Sequence, residues 1–222
     1  MDPLPRASAP GMSSTGGPEA LRERLPAGAV PVVLDWLQRH RVHVRITARR
    51  ATKLGDYRAP VAGRPARISV NRDLNPYAFL VTLVHEFAHH ATFERSGPRV
   101  RPHGIEWKRT YAELMRPYLA PAVLPEDVRT ILIDHLNDAT ASSCSDPALV
   151  RVLRRYDERV LPLLEELPER TIFRFNEKLF VKGILRRSRV ACRCLNDRRT
   201  YTIDRLAGVE VGPPVPIALH EP

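Results

Sequence analysis

The chain has 222 residues, with 35 Lys or Arg against 25 Asp or Glu, a formal net charge of +10. Its 43% apolar content can bury a real core, which excludes wholesale disorder. No apolar run approaches the length needed to cross a bilayer. Three cysteines, an odd number, argue against a disulfide framework, and no basic start followed by an apolar stretch marks a secretory signal. These features predict a cytoplasmic protein without a membrane span. The excess of positive charge favours an anionic partner, most simply nucleic acid.

Residues 1–17 are rich in Pro, Ser and Gly and read as a disordered tail. From 18 to 40 the apolar positions Leu21, Leu25, Ala29, Val32, Val33 and Trp36 have near-helical spacing, interrupted at Pro26 and Pro31, which predicts one or two helices. Alternation of apolar and polar residues predicts strands at 42–46 and 66–70, with a third, carrying a glycine irregularity at Gly55, at 53–58. Asn75 followed by Pro76 is a helix start. Leu80, Leu83, Val84, Phe87 and Ala91 then recur at helical intervals, predicting a helix of about 17 residues. A Pro- and Arg-containing loop at 96–102 leads to a second helix at 104–116, and further helical patterns cover 125–138 and 146–156. After Pro168 the period changes to two, at 171–175, 179–181, 190–195 and 200–203, which predicts a small β-module of about four strands.

His85-Glu86-Phe87-Ala88-His89 lies inside the 17-residue helix. Residues i and i+4 share a helix face one turn apart, so both imidazoles can reach one metal ion. Glu86 projects beside them, where its carboxylate can take a proton from water. A catalytic zinc usually has three protein ligands and one open position, so a third ligand is required. A Gly and a His at the positions after His89 that a metzincin would use are absent; Thr92 and Arg95 stand there. His103, between the loop and the next helix, is the next histidine, with Glu106 and Glu113 as competitors; spacing alone does not choose between His103 and Glu106.

His85-Glu86-Phe87-Ala88-His89-His90, then a loop, then His103-Gly104-Ile105-Glu106-Trp107, resembles the SprT-like metallopeptidase family, to which Spartan-type DNA–protein crosslink proteases belong. Lys53-Leu54-Gly55-Asp56-Tyr57-Arg58 resembles the family's basic-Leu-Gly strand, and Ile68-Ser69-Val70-Asn71 with Leu74 resembles the strand and turn entering the metal helix. The resemblance covers roughly residues 20 to 120, and it is closest to bacterial SprT-like proteins that carry a C-terminal β-module. It implies His103 as the third ligand of one Zn²⁺, with Glu86 as the general base. The expected fold is α+β. A zincin-like metalloprotease domain at 18–121 holds a short three-stranded sheet and the H-E-x-x-H helix. A helical connection at 122–167 and a small antiparallel β-module at 168–212 follow, with a tail at 213–222.

Many relatives carry a zinc ribbon with two cysteine pairs in that module. Here only Cys192 and Cys194 are present, with Cys144 far upstream, so four thiolates are not available. Residues i and i+2 share one face of a strand, and both cysteines read as small strand residues of a ribbon-like, metal-free module. His90, turned about 100° from His89, reads as a surface or supporting residue. Trp107 and Tyr111 read as packing, His43 as structural, and His135 as lacking a partner motif.

The charge is concentrated. Residues 181–200 hold Lys182, Arg186, Arg187, Arg189, Arg193, Arg198 and Arg199 against Asp197 alone. A hairpin there makes a compact basic surface for a phosphate backbone, with Phe180 and Tyr201 as flanking stacking partners. Arg95, Arg99, Arg101, Lys108 and Arg109 surround the loop between the metal ligands. The expectation is therefore a zinc endopeptidase acting on DNA-associated or DNA-crosslinked proteins. Its partners are protein substrates and DNA, with no membrane. The rivals are a cytosolic metallopeptidase without DNA dependence and a non-catalytic DNA- or transcription-associated protein with a structural metal. The intact Glu86 argues against the last, because a structural site needs no base.

Overall fold

A computed structural model describes residues 17–50, 53–61, 63–137 and 146–212. The tails expected at 1–17 and 213–222 lie outside the described residues, apart from Gly17, as does Cys144. The chain divides into two compact units, at Glu126 and Asp127. Both are mixed: the first holds a three-stranded sheet and the second a five-stranded antiparallel one. Among the described residues, no helix is long and apolar enough to cross a membrane.

The first unit opens with α1 (Pro18–Arg22), a 3-10 turn at Ala27–Ala29 and α2 (Val30–His40). The prolines that break the periodicity separate these pieces, and Pro31 falls in the first turn of α2, where its missing N–H costs nothing. Strands β1 (His43–Thr47), β2 (Gly55–Arg58) and β3 (Arg67–Asn71) follow, in the order β1-β3-β2. β3 is central, parallel to β1 and antiparallel to β2, with Ile46 opposite Val70 and Tyr57 opposite Ile68. Ile68 and Val70 are fully buried, as a central strand requires. On β3, Ser69 and Asn71 bind the Arg50 guanidinium, which donates to Ser69 Oγ at 2.9 Å and Asn71 Oδ1 at 2.8 Å.

Helix α3 (Pro76–Ser96) packs against β2 and β3. Asn75 Oδ1 caps it by accepting from the main-chain N–H groups of Tyr77 and Ala78, at 3.1 and 3.0 Å. Gly97 stops it with φ of 78°, a backbone that favours glycine. The helix spans 21 residues, longer than the apolar pattern predicts, because its last turn is polar and exposed up to that glycine. Most of its residues are buried on every side, so it is a core helix rather than an amphipathic surface one. Trp36 of α2 stacks on Phe87 with ring centroids 5.1 Å apart. Helix α4 (Ile105–Met115) packs on α3, burying Trp107, Tyr111 and Met115.

The second unit contains α5 (Glu126–Asn137, from Asp127 on), α6 (Pro147–Arg154) and strands β4 (Ile172–Phe175), β5 (Lys178–Arg186), β6 (Arg189–Cys194), β7 (Thr200–Asp204) and β8 (Glu210–Val211). The strand order is β7-β6-β5-β4-β8. β8 was not foreseen: two residues are too short to show a period of two, and only pairing with Phe173 and Arg174 defines the strand. Cys192 and Cys194 are both fully buried, in an apolar cluster with Leu164, Phe173, Phe180, Val190, Ile203 and Val209.

Candidate metal centre

Helix α3 presents His85 and His89 on one face, and the loop before α4 returns His103 to the same point. The ligating nitrogens of all three lie within 4.8 Å of one another. His85 Nε2 is 3.3 Å from His89 Nε2 and 3.1 Å from His103 Nε2. Two ligands about 2.0–2.1 Å from a tetrahedral ion stand about 3.3 Å apart, so the observed spacing suits one. Three imidazole nitrogens aimed at one point cannot all be satisfied by shared protons, and a cation among them removes that conflict. Burial and the nearby His103 push the His89 pKa down to about 4, and burial and Lys108 lower that of His103. Both rings are therefore neutral at pH 7, the form that binds metals.

His103 reaches this position with φ of 58°, a left-handed backbone that is uncommon for non-glycine residues though enriched for histidine. Of its competitors, Glu113 is turned away into an ion pair with Arg95 at 2.6 Å. Neither it nor Glu106 joins the histidine cluster. Trp107 backs the three rings, with centroids 4.6, 5.3 and 4.7 Å from His85, His89 and His103. Tyr111 stacks on Trp107 at 5.0 Å. Both aromatic side chains are buried and fix the imidazoles by contact.

Glu86 is only 7% exposed. Burial, then the charge of Asp56, raises its pKa to about 7, against the opposing pull of Arg50, Lys53 and a hydrogen bond from the Tyr57 main-chain N–H. Strand β2 supplies that N–H, and it can do so only because Gly55 has no side chain: a Cβ there would lie 2.5 Å from Glu86 Oε1 and 2.8 Å from Thr82 Cγ2. Sequence reasoning assigned no site role to Gly55, Arg50 or Tyr57. Its available signal was a glycine inside a short strand, which marks a close backbone approach. A cleft of about 170 Å³, bordered by Tyr57, His89, Phe93, Pro98, Arg101 and Trp107, opens beside the histidines.

Other histidines fall elsewhere. His43 is exposed on β1. His135 is buried with Nδ1 2.8 Å from Asp146 Oδ2, so it does have a partner. His90 is buried rather than on the surface.

In the second unit, Arg186, Arg187, Arg189, Arg193, Arg198 and Arg199 are exposed, as the sequence suggested. Lys182 is not part of that surface. It is 7% exposed and its ammonium donates to the main-chain carbonyls of Leu167 and Glu165. Its alternation along β5 puts it on the covered face with Phe180. Phe180 is likewise in the core and cannot stack on a base from outside, whereas Tyr201 is half-buried and donates its hydroxyl to Asp197 at 2.7 Å. On the opposite face, a depression of about 420 Å³ is floored by Gly183 and Ala191 and walled by Arg193 and Arg198.

Residues 31–128 match the model of the SprT-like family, and this segment contains the His85, His89 and His103 cluster and Glu86. No curated protein and no solved structure matches the chain.

Proposed function

We propose, with the SprT-like family membership of residues 31–128 as premise, that the protein is a zinc-dependent endopeptidase acting on DNA-associated or DNA-crosslinked proteins. One observation carries the reading: three imidazole nitrogens converge, and the residue beside His85 on the same helix is a buried carboxylate, Glu86. A structural metal site gains nothing from a base held in that position.

His85, His89 and His103 would hold the ion, with their rings steadied by Trp107. When bound, zinc supplies a Lewis acid that polarises a scissile carbonyl and acidifies water. Glu86 removes the proton from the attacking water and returns it to the leaving amine. Strand β2 lies at a sheet edge beside Glu86, so an extended peptide can pair with its main chain while entering the cleft. The exposed arginines of the second unit support a nucleic-acid partner, since among the described residues Arg186, Arg187, Arg193, Arg198 and Arg199 form no ion pair.

Metal content and cleavage of a DNA-bound protein, with and without DNA, test the proposal. Glu86→Gln is expected to retain zinc and lose about 10²–10⁴-fold in rate. A fully active Glu86→Gln protein overturns the mechanism. Equal cleavage with and without DNA overturns the DNA clause alone.

A further inference from the structure

A second group of donors lies on the other side of α3, outside the Glu86 site. Helix α2 ends at His40, and α3 carries His90 and Glu94 one turn apart. One ligating atom from each of the three lies within 4.8 Å of the others. His40 Nδ1 is 2.6 Å from Glu94 Oε2, and His90 Nε2 is 3.4 Å from Glu94 Oε1.

His90 gives the clearest sign of what belongs there. It is 3% exposed, and its Nε2 is buried without a hydrogen bond. Its Nδ1 is 3.2 Å from the Tyr57 hydroxyl. In the tautomer whose Nδ1–H donates to that oxygen, Nε2 turns a lone pair toward Glu94 Oε1, and a cation between them relieves that opposition; the other tautomer turns Nε2–H toward Glu94 instead. A ligating histidine normally has its other nitrogen hydrogen-bonded, which fixes the tautomer and the ring, and Tyr57 fills that role.

We infer that His40, His90 and Glu94 form a second metal site, for a divalent transition metal ion such as Zn²⁺. Two imidazoles and one carboxylate are a donor set that suits zinc, cobalt or iron rather than magnesium or calcium. The Glu94 and His40 side chains are 42% and 34% exposed, which leaves a solvent-facing side for entry of the ion and for a water ligand. On binding, the 2.6 Å contact between His40 Nδ1 and Glu94 Oε2 opens to ligand spacing. The ion ties the C-terminal end of α2 to α3. Tyr57 connects the two sites, because its ring stacks parallel to His89 at 6.4 Å while its hydroxyl holds His90.

The test is a titration of the full-length, metal-stripped chain with Zn²⁺ alone against a competing chromogenic chelator, with elemental analysis for stoichiometry. Wild type is expected to bind two equivalents. Glu94→Gln and His40→Ala should each lose one, or weaken it by at least about tenfold, and keep the other. The double substitution His85→Ala and His89→Ala should lose the complementary equivalent and keep this one. Glu94→Gln preserves side-chain shape and decides the matter if His40→Ala does not fold, as judged by circular dichroism. Co²⁺ loading gives an independent readout, a visible absorption component that Glu94→Gln removes. A single wild-type equivalent that disappears with His85 and His89 overturns the second site and leaves the proposed peptidase centre standing. Two equivalents that Glu94→Gln leaves untouched also overturn it. A single wild-type equivalent that survives the His85→Ala and His89→Ala substitution and disappears with Glu94→Gln would instead count against the peptidase reading.

Discussion

Glu86 occupies a place where its charge is poorly solvated, and this has a consequence for stability. Its pKa in the folded protein, about 7, lies above the ordinary 4.5 because of burial and the neighbouring Asp56. The folded chain therefore keeps the proton over a range in which the unfolded chain has lost it. The associated stability is fully present below pH 4.5 and disappears as pH rises through 7. Glu86→Gln cannot ionise. In the metal-free protein it should match wild type near pH 4 and exceed it by up to about 3 kcal/mol at pH 8. Urea denaturation at the two pH values measures the gap, and an identical gap at both would mean that Glu86 is not isolated from solvent. A bound dication beside the carboxylate offsets the penalty, so zinc-loaded protein should show a smaller difference. Which histidines converge was partly readable: His85 and His89 are related by helix geometry alone. His103 needed the left-handed backbone that swings it back to α3, and no spacing rule encodes that turn.

Among the elements, α3 was the most legible. Its cap, its apolar recurrence and its terminating Gly97 are local features, each with a local physical cause. Strand β2 was harder to read, since four residues carry little periodicity and its role depends on what it touches. Gly55 has an ordinary backbone there, so the demand on it is steric. Gly55→Ala should push β2 away from Glu86 and Thr82, costing about 1–3 kcal/mol as overpacking does. It should reduce kcat while zinc content stays at the wild-type level. Paired measurements of turnover and bound zinc check this, and unchanged turnover would show that β2 does not position the base. The bulge between Lys182 and Leu185 on β5 was equally hidden, because a register shift is a property of the strand pair.

At the scale of the whole molecule, the net charge of +10 has a specific location. Lys182 is withdrawn from the basic surface into the second unit, while the arginines from 186 to 199 stay exposed. Exposed arginines that meet phosphates release counterions, so binding weakens steeply with salt. With the proposed DNA contact as premise, replacing Arg186, Arg187, Arg193 and Arg198 with Glu should remove binding to DNA at low salt and leave zinc content unchanged. Restoring them singly should rebuild the slope of log affinity against log salt by about 0.7–0.9 per phosphate contact. A salt series by fluorescence anisotropy measures both, and wild-type affinity in the fourfold variant would remove this face as the DNA surface.

The sequence by itself determined the mixed α+β class, the helix bearing His85, Glu86 and His89, and the exposure of most of the arginine cluster. Those follow from periodicities of 3.6 and 2 and from spacings within one element, where covalent geometry fixes which side chains share a face. The tertiary structure alone decided how His103 joins the centre, why Gly55 must be small, and that Lys182 and Phe180 face the core. It also placed His90, expected as a surface or supporting residue, as the buried member of a second cluster with His40 and Glu94. The contacts that join His103 to His85, Lys182 to Leu167 and His40 to Glu94 span 18, 15 and 54 residues. Burial and the approach of such distant groups depend on how whole elements pack, which no local pattern records.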